Sequence, residues 1–218
     1  MDLSLNHGAI VELIDGNIND ICFWTNKAGQ SKMTGGTRLS IIKSEDRQNV
    51  SVRRLVFIRD YLKDQIENRK PDYVGIEDYA IRAEQGAHYL GEAGGIARTV
   101  CWDAGVKLRL HDPCSVKMFA TLNGNCPKEN VAPIVKERWG LDFTNFCPES
   151  KKGGAEDTTT SGDITDAYIL ARLVWTEVQL RAGTFLLSSL IEEKERRVFQ
   201  RMTKTYPVNL LDREWICR

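Results

Sequence analysis

The order in which hydrophobic periodicities follow one another most constrains this chain. Ala9-Ile10-Val11-Glu12-Leu13-Ile14 and Ile21-Cys22-Phe23-Trp24 are short runs of β-prone residues, and Asp15-Gly16 between them is a hairpin signal. They predict two antiparallel strands, with a third near residues 38–42 after a polar loop at 29–36. Over residues 49–69 the spacing turns helical: Val52, Leu55, Val56, Ile58, Leu62 and Ile66 recur until Pro71 stops the run. Residues 73–80 read as a short buried strand, 86–104 as a helix rich in small residues, and 106–111 as another strand ended by Pro113. Shorter helices follow at 115–122 and 129–139. Helical spacing resumes over 163–181 and again, with more charge, from 185 to about 202. Strands, then helix, strand, helix, strand and helices, is an α/β layout, expected here as a mixed five-stranded sheet with flanking helices and a C-terminal helical extension.

A chain of 218 residues needs no more than one domain, and 42% apolar with 28% charged residues suits a globular core. Residues 1–182 are expected to form that domain, with a mobile polar loop at about 145–162, and 183–218 a C-terminal amphipathic extension. No apolar run approaches the roughly 20 residues of a bilayer span, and Met1-Asp2 lacks the basic opening of a signal peptide. Membrane partners are therefore not expected. The six cysteines are scattered without a Cys-x-x-Cys pair, which reads as reduced thiols in a cytoplasm. Thirty basic residues balance thirty acidic ones, so any nucleic-acid binding must come from a local patch. Arg82, Arg98, Lys107, Arg109, Lys136 and Arg138 are candidates for it.

The acids carry the chemistry. Asp163 and Asp166 are three apart in Ser161-Gly162-Asp163-Ile164-Thr165-Asp166-Ala167, on one face of a helix. Asp163 also suits a first helical turn, where Thr160 and an acid three residues on make a capping-box-like pair. Asp166 has apolar neighbours, which turns it toward the core side. Glu77 lies inside Val74-Gly75-Ile76-Glu77, where a lone ionised acid costs several kcal/mol, so a cation should face it: an Arg, a Lys or a metal ion. Asp2 is either a solvated terminal acid or a fourth member of the set. Together Asp2, Glu77, Asp163 and Asp166 can converge on a pair of Mg²⁺ ions, which take oxygen ligands and promote phosphodiester hydrolysis.

At this point the sequence resembles the RuvC-type Holliday-junction resolvases of the RNase H-like nuclease superfamily, including their phage-encoded branch. The likeness runs from Asp2 to about Trp175. Asp2-Leu3-Ser4-Leu5 is similar to the family's first-strand motif, Gly75-Ile76-Glu77 to its second acidic strand, and Leu90-Gly91-Glu92-Ala93-Gly94-Gly95 to its glycine-bearing helix. The run from Val116-Lys117 through Gly124 to Lys128 and Val131 is similar to a Val-Lys pair, a glycine turn and a second Lys opening a helix. Asp163-Ile164-Thr165-Asp166-Ala167 is similar to the closing Asp-x-x-Asp-Ala.

The resemblance implies an RNase H-like fold, a homodimer, and Mg²⁺-dependent cleavage of branched DNA, with Mn²⁺ expected to substitute. It implies Asp2, Glu77, Asp163 and Asp166 as metal ligands, and Lys117 and Lys128 as catalytic lysines against the DNA backbone. Tyr79 and Arg82 are further DNA-binding candidates; the bacterial members' Phe, three residues after the strand Glu, is Ala80 here, with Tyr79 beside it. One residue, Met1, precedes Asp2 where the family has several apolar ones. The first strand is therefore expected to be short, or the true start to lie upstream. Residues 185–218 have no counterpart; their interleaved Lys, Arg and Glu suit a solvated helix, a phosphate-tracking arm or a dimer contact. Rival readings are a related nuclease for flaps, forks or RNA–DNA hybrids, and a branched-DNA-binding module that does not cut. An actin-like ATPase would need glycine-rich phosphate loops after its strands, and none adjoins Asp2 or Glu77.

Overall fold

The computed structural model describes residues 1–5, 7–25, 36–38, 47–78, 87–144 and 158–205. The hairpin is built as its turn chemistry requires. Strands β2 (His7–Ile14) and β3 (Asn17–Thr25) run antiparallel, with Ile14 opposite Asn17. Asp15 and Gly16 both have positive φ, 50° and 80°, the mirror-image turn that matches strand twist. Strand β1 (Asp2–Leu3) pairs antiparallel with β2, and β4 (Gly36–Arg38) parallel with β3. The described strand meets the expected range of 38–42 only at Arg38 and begins at Gly36, the last residue expected as loop; residues 39–42 lie outside those described.

Helix α1 (Arg47–Arg69) ends where Lys70 turns left-handed, φ 49°, with Pro71 next. Strand β5 (Tyr73–Glu77), helix α2 (Ala87–Asp103) and strand β6 (Lys107–His111) follow, β5 and β6 pairing in parallel. Helices α3 (Pro113–Thr121), α4 (Lys128–Trp139), α5 (Thr158–Ala182) and α6 (Glu193–Thr205) complete the described chain. A 3₁₀ turn at Leu187–Ser189 interrupts the helix expected from residue 185. Likewise, residues 158–162, expected as loop, already belong to α5. No described helix is long and apolar enough to cross a membrane.

The α/β class agrees with the sequence, but the five-stranded sheet does not appear. The strands form a four-stranded sheet, β1-β2-β3-β4, and a separate pair, β5-β6. The reason lies in β1, too short at two residues to form a ladder with β5 as well as with β2. What joins the sheets there is the Met1 amino group donating to Gly75 O at 2.7 Å.

Packing closes the gap. One layer sets α1 and α2 against Ile10, Trp24, Val74, Ile76 and Leu108. On the opposite face of β2, Ala9 and Val11 meet Phe23, Ile164 and Tyr168, as the two-residue strand period dictates. Helix α5 lies across both sheets. At Gly75 a side chain would put Cβ 2.5 Å from Val174 Cγ2, so glycine is what lets α5 settle on β5. A third cluster joins α3, α4, α5 and α6 through Phe119, Val131, Leu173 and Phe199. Near the far end of α5, fully buried Glu177 accepts from Arg109 Nε at 3.0 Å and from Arg181 Nε at 3.3 Å, tying α5 to β6.

Gly8 governs where Asp2 sits. A Cβ there would lie 2.3 Å from Trp24 Cζ2 and 2.7 Å from the Asp2 carbonyl oxygen. Gly8→Ala is therefore expected to destabilise the fold by about 1–3 kcal/mol through overpacking, read by urea unfolding. A loss below about 0.5 kcal/mol would show that Trp24 and β1 shift aside freely.

Candidate active site

Four acids approach one another from three elements. β1 brings Asp2, the carboxyl end of β5 brings Glu77, and α5 brings Asp163 and Asp166. Asp163 is not the first-turn acid its spacing with Thr160 suggests. The helix already begins at Thr158, so Asp163 falls beyond its first turn and is only 2% exposed. Asp166 and Asp2 are half-buried, while Glu77 stands exposed at the rim.

Their mutual influence shows in their protonation. Asp2 is pushed up to about 7, first by burial and then by the charges of Asp163 and Glu77. Burial, followed by Asp2, pushes Asp166 up to about 7. Crowding on its inner side and then Asp166 push Glu77 up to about 7, even though its outer side meets solvent. Like charges gathered in one cleft disfavour ionisation of these three. Asp163 pairs with a residue that the sequence analysis missed. His7 Nδ1 lies 2.6 Å from Asp163 Oδ2, and that hydrogen bond raises the His7 pKa against the opposing effect of burial. His7 reaches the site because Ser4 closes a tight reversal after β1: its Oγ donates to His7 O at 2.7 Å and accepts from His7 N at 3.2 Å. A histidine three residues after a serine carries no such signal until that turn is known.

Two lysines offset the acids. Lys128 Nζ is 3.7 Å from Asp166 Oδ2. Burial would lower its pKa, but Asp166, Asp2, Asp163 and Glu77 together hold it above its ordinary value. It is also the first residue of α4, where the helix dipole disfavours a cation, so local helix preference does not explain it. Lys117, half-buried on α3, lowers the pKa of Glu77 and Asp166. The Asp112 carboxylate caps α3 by accepting from Ser115 N at 2.9 Å. Tyr79 and Arg82 lie outside the described residues. Most other basic candidates are engaged elsewhere: Arg98 with Asp78 at 2.7 Å, Arg109 with Glu177, Lys136 with Asp142 at 2.6 Å and Arg138 with Glu195 at 2.6 Å. Lys107 stacks over Tyr73.

The donor set suits a hard divalent cation. It is all carboxylate oxygen, and Asp163 Oδ1 is buried with no hydrogen-bond partner. Among the described residues, no three acids or imidazoles are gathered tightly enough to enclose an ion as they stand. Side-chain rotation of the half-buried Asp2 and Asp166 and of Glu77 would have to complete the set.

No family model matches the chain. Its fold is similar to that of Thermus thermophilus RuvC, at 21% identity, 84% coverage of this chain, 94% of that one, and a TM-score of 0.48. T. thermophilus RuvC in complex with a Holliday junction substrate aligns at 18% identity over the same shares of each chain, with a TM-score of 0.50. The likeness to that second structure shows that the chain has a RuvC-type fold.

The raised carboxyls fix a pH dependence. Asp2, Glu77 and Asp166 have folded values above their ordinary ones, so the native state binds more protons than the unfolded one between about pH 4 and 7. Their contribution is present at low pH and lost as pH rises through 7; the raised pKa of His7 acts in the same direction. The metal-free chain should therefore unfold at lower urea at pH 8 than at pH 5.5, and 10 mM Mg²⁺ should recover more stability at pH 8. Equal midpoints at both pH values, unmoved by Asp2→Asn, would contradict the clustering of these acids.

Proposed function

We propose that this chain is an RNase H-like, divalent-metal-dependent endonuclease that resolves four-way DNA junctions. The observation that carries the reading is the acid cluster. Three carboxyls are raised to about 7 beside a buried unpartnered oxygen of a fourth, with Lys128 at its edge. Such a cluster lacks positive charge, and a fold shared with a protein solved on a Holliday junction favours a phosphodiester as the group that comes with it.

Mg²⁺ held by Asp2, Glu77, Asp163 and Asp166, with Mn²⁺ able to replace it, supplies when bound an acidified water and a charge that stabilises the leaving oxygen. The protein does the rest. His7 occupies Asp163 Oδ2, which leaves Oδ1 as the oxygen available to a ligand. Lys128 steadies Asp166 and presents a cation at the mouth of the cleft. Lys117 approaches from α3, and the two ammonium groups suit the non-bridging oxygens of a phosphate. Tyr79 and Arg82, in the segment after Glu77, are proposed to meet the DNA. A junction presents two equivalent strands and each chain carries one set of four acids, so a two-fold homodimer making paired symmetric nicks follows from the substrate's symmetry. The expected setting is the cytoplasm of a prokaryotic cell or a phage-infected host.

Synthetic four-way, flap and RNA–DNA hybrid substrates incubated with Mg²⁺ or EDTA decide the reading. Cleavage confined to the four-way junction and abolished by EDTA is the expected result. Preference for flaps or hybrids would move the assignment to a related nuclease, and binding without cutting to a non-cleaving module.

Asp166→Asn should abolish cleavage while leaving junction affinity within a few fold, since phosphate contacts by Lys and Arg supply most of the affinity. A variant that cuts at near wild-type rate in Mg²⁺ would remove Asp166 from the site. Lys128→Ala and Lys117→Ala should each slow cleavage by about tenfold or more, as loss of a charge-assisted contact worth about 1.5–3 kcal/mol requires. If Lys128→Ala behaves like a substitution on a remote surface, the lysine only neutralises Asp166.

A further inference from the structure

Of the four acids, Asp163 is the one already held in place. Asp2 and Asp166 are half-buried and Glu77 is exposed, so each has room to turn, whereas Asp163 is 2% exposed. Any cation that the other three close around must therefore accept Asp163 as it stands. Its two oxygens are not equivalent. Oδ2 faces His7 Nδ1 at 2.6 Å, and Oδ1 is buried with no hydrogen-bond partner. A carboxylate oxygen only accepts, so Nδ1 carries the hydrogen whether the imidazole is neutral or charged. A partner that served only to neutralise a buried acid would be expected with both oxygens satisfied, because a bare buried oxygen costs free energy. Here one oxygen is taken and the other is left open.

The imidazole reaches Asp163 through a turn that does not use it. Ser4 N donates to His7 O at 3.0 Å, Ser4 Oγ donates to the same oxygen at 2.7 Å, and that hydroxyl accepts from His7 N at 3.2 Å. All three bonds go to the backbone of His7. The ring can therefore be changed without opening the turn that carries it.

We infer that His7 is a positioning residue that makes Asp163 a one-oxygen ligand and so selects Mg²⁺ over Ca²⁺, an inference that rests on the metal site proposed above. The reason is coordination geometry. Mg²⁺ demands a near-octahedral shell with oxygens at about 2.0–2.1 Å, into which the narrow bite of a bidentate carboxylate fits poorly. Ca²⁺ takes about six to eight oxygens at about 2.3–2.6 Å and readily draws two of them from one carboxylate. With Oδ2 held by His7, Asp163 offers a cation Oδ1 alone. Ca²⁺ must then break the hydrogen bond or accept a poorer shell, and Mg²⁺ need do neither. The hydrogen bond also fixes the direction in which Oδ1 points, which favours the cation with the stricter geometry.

Calorimetric titration of the full chain with Mg²⁺ and with Ca²⁺, at pH 8 and without DNA, tests this in the wild type, His7→Ala and His7→Asn. The Asn amide nitrogen, like histidine Nδ1, is bonded to Cγ, so His7→Asn restores the donor without the ring. His7→Ala should lower the ratio of Mg²⁺ to Ca²⁺ affinity by about tenfold, and His7→Asn should hold it within about threefold of the wild type. An unchanged ratio in His7→Ala overturns the inference. So does a His7→Asn as altered as His7→Ala, since the ring's bulk and not its hydrogen bond would then matter. Should the variants misfold, the wild type supplies a second readout, the ¹⁵N shift of His7 Nδ1. Saturation with Mg²⁺ should leave it at the value of a hydrogen-bonded N–H, and loss of that signature on Mg²⁺ binding overturns the inference. Neither readout uses cleavage. The expected ratios in a chain that cuts no junction support the selectivity and remove the proposed activity. An unchanged ratio with Mg²⁺ still bound removes the selectivity alone, and a chain that binds neither cation overturns both.

Discussion

The acid cluster in this molecule hangs on α5. Two sheets that meet at the Met1–Gly75 hydrogen bond are clamped on one face by α1 and α2 and on the other by a single helix of 25 residues that packs on β2 and on β5 together. The contact is close because Gly75 has no side chain for Val174 to meet. It is directional because Glu177 anchors the far half of the helix to Arg109 of β6 in full burial. Breaking such a pair from one side leaves an uncompensated buried charge, which typically costs about 3–5 kcal/mol. The anchor therefore fixes the axial position of α5, and with it the heights at which Asp163 and Asp166 face β1 and β5.

That placement comes at an electrostatic cost. Three carboxyls with pKa values near 7 destabilise the fold at the pH where they ionise, and a chain selected for stability alone would dilute them. The hydrophobic clusters on either side of α5 offset this. Phe199 of α6 seats against Phe119, 6.1 Å between ring centres, and Arg138 of α4 ties to Glu195 at 2.6 Å, so the late helices brace the element that carries the strain. The concentration of unfavourable charge at one place, with favourable packing everywhere around it, is the usual arrangement of a functional site.

Much of this was legible in the chain. Asp15-Gly16 announced its turn because both positions need positive φ, and Pro71 and Pro113 marked element boundaries that the backbone itself imposes. The α/β order followed from periodicity alone. The acids were visible as candidates, since Glu77 at the end of an apolar strand and Asp166 among apolar neighbours contradict their surroundings. What sequence could not carry was anything set by pairing across the fold. The start of α5 at Thr158 came five residues earlier than the expected 163 because Thr158, Thr159 and Thr160 are poor helix formers that the helix nevertheless includes. His7 enters the site through a turn whose closure depends on a serine hydroxyl. The split of the sheet depends on how far β1 extends, which residue periodicity within β1 has no length to express.

The charge balance adds a last constraint on how such a site meets DNA. Zero net charge gives no long-range attraction, and Arg98, Arg109, Lys136 and Arg138 are occupied by acids of their own. On the function proposed, a phosphate approaching the cleft meets four acids against two lysines, a repulsion that sets in as Asp2, Glu77 and Asp166 ionise above about pH 7. Repulsion of that kind is relieved where the phosphate arrives together with divalent charge, so cation and DNA should bind with positive coupling: each raises the affinity for the other by the same factor. A cluster of fixed acids then does two things with one set of residues. On that proposal it would hold the cation and, once ionised, keep DNA out of the cleft until the cation is there.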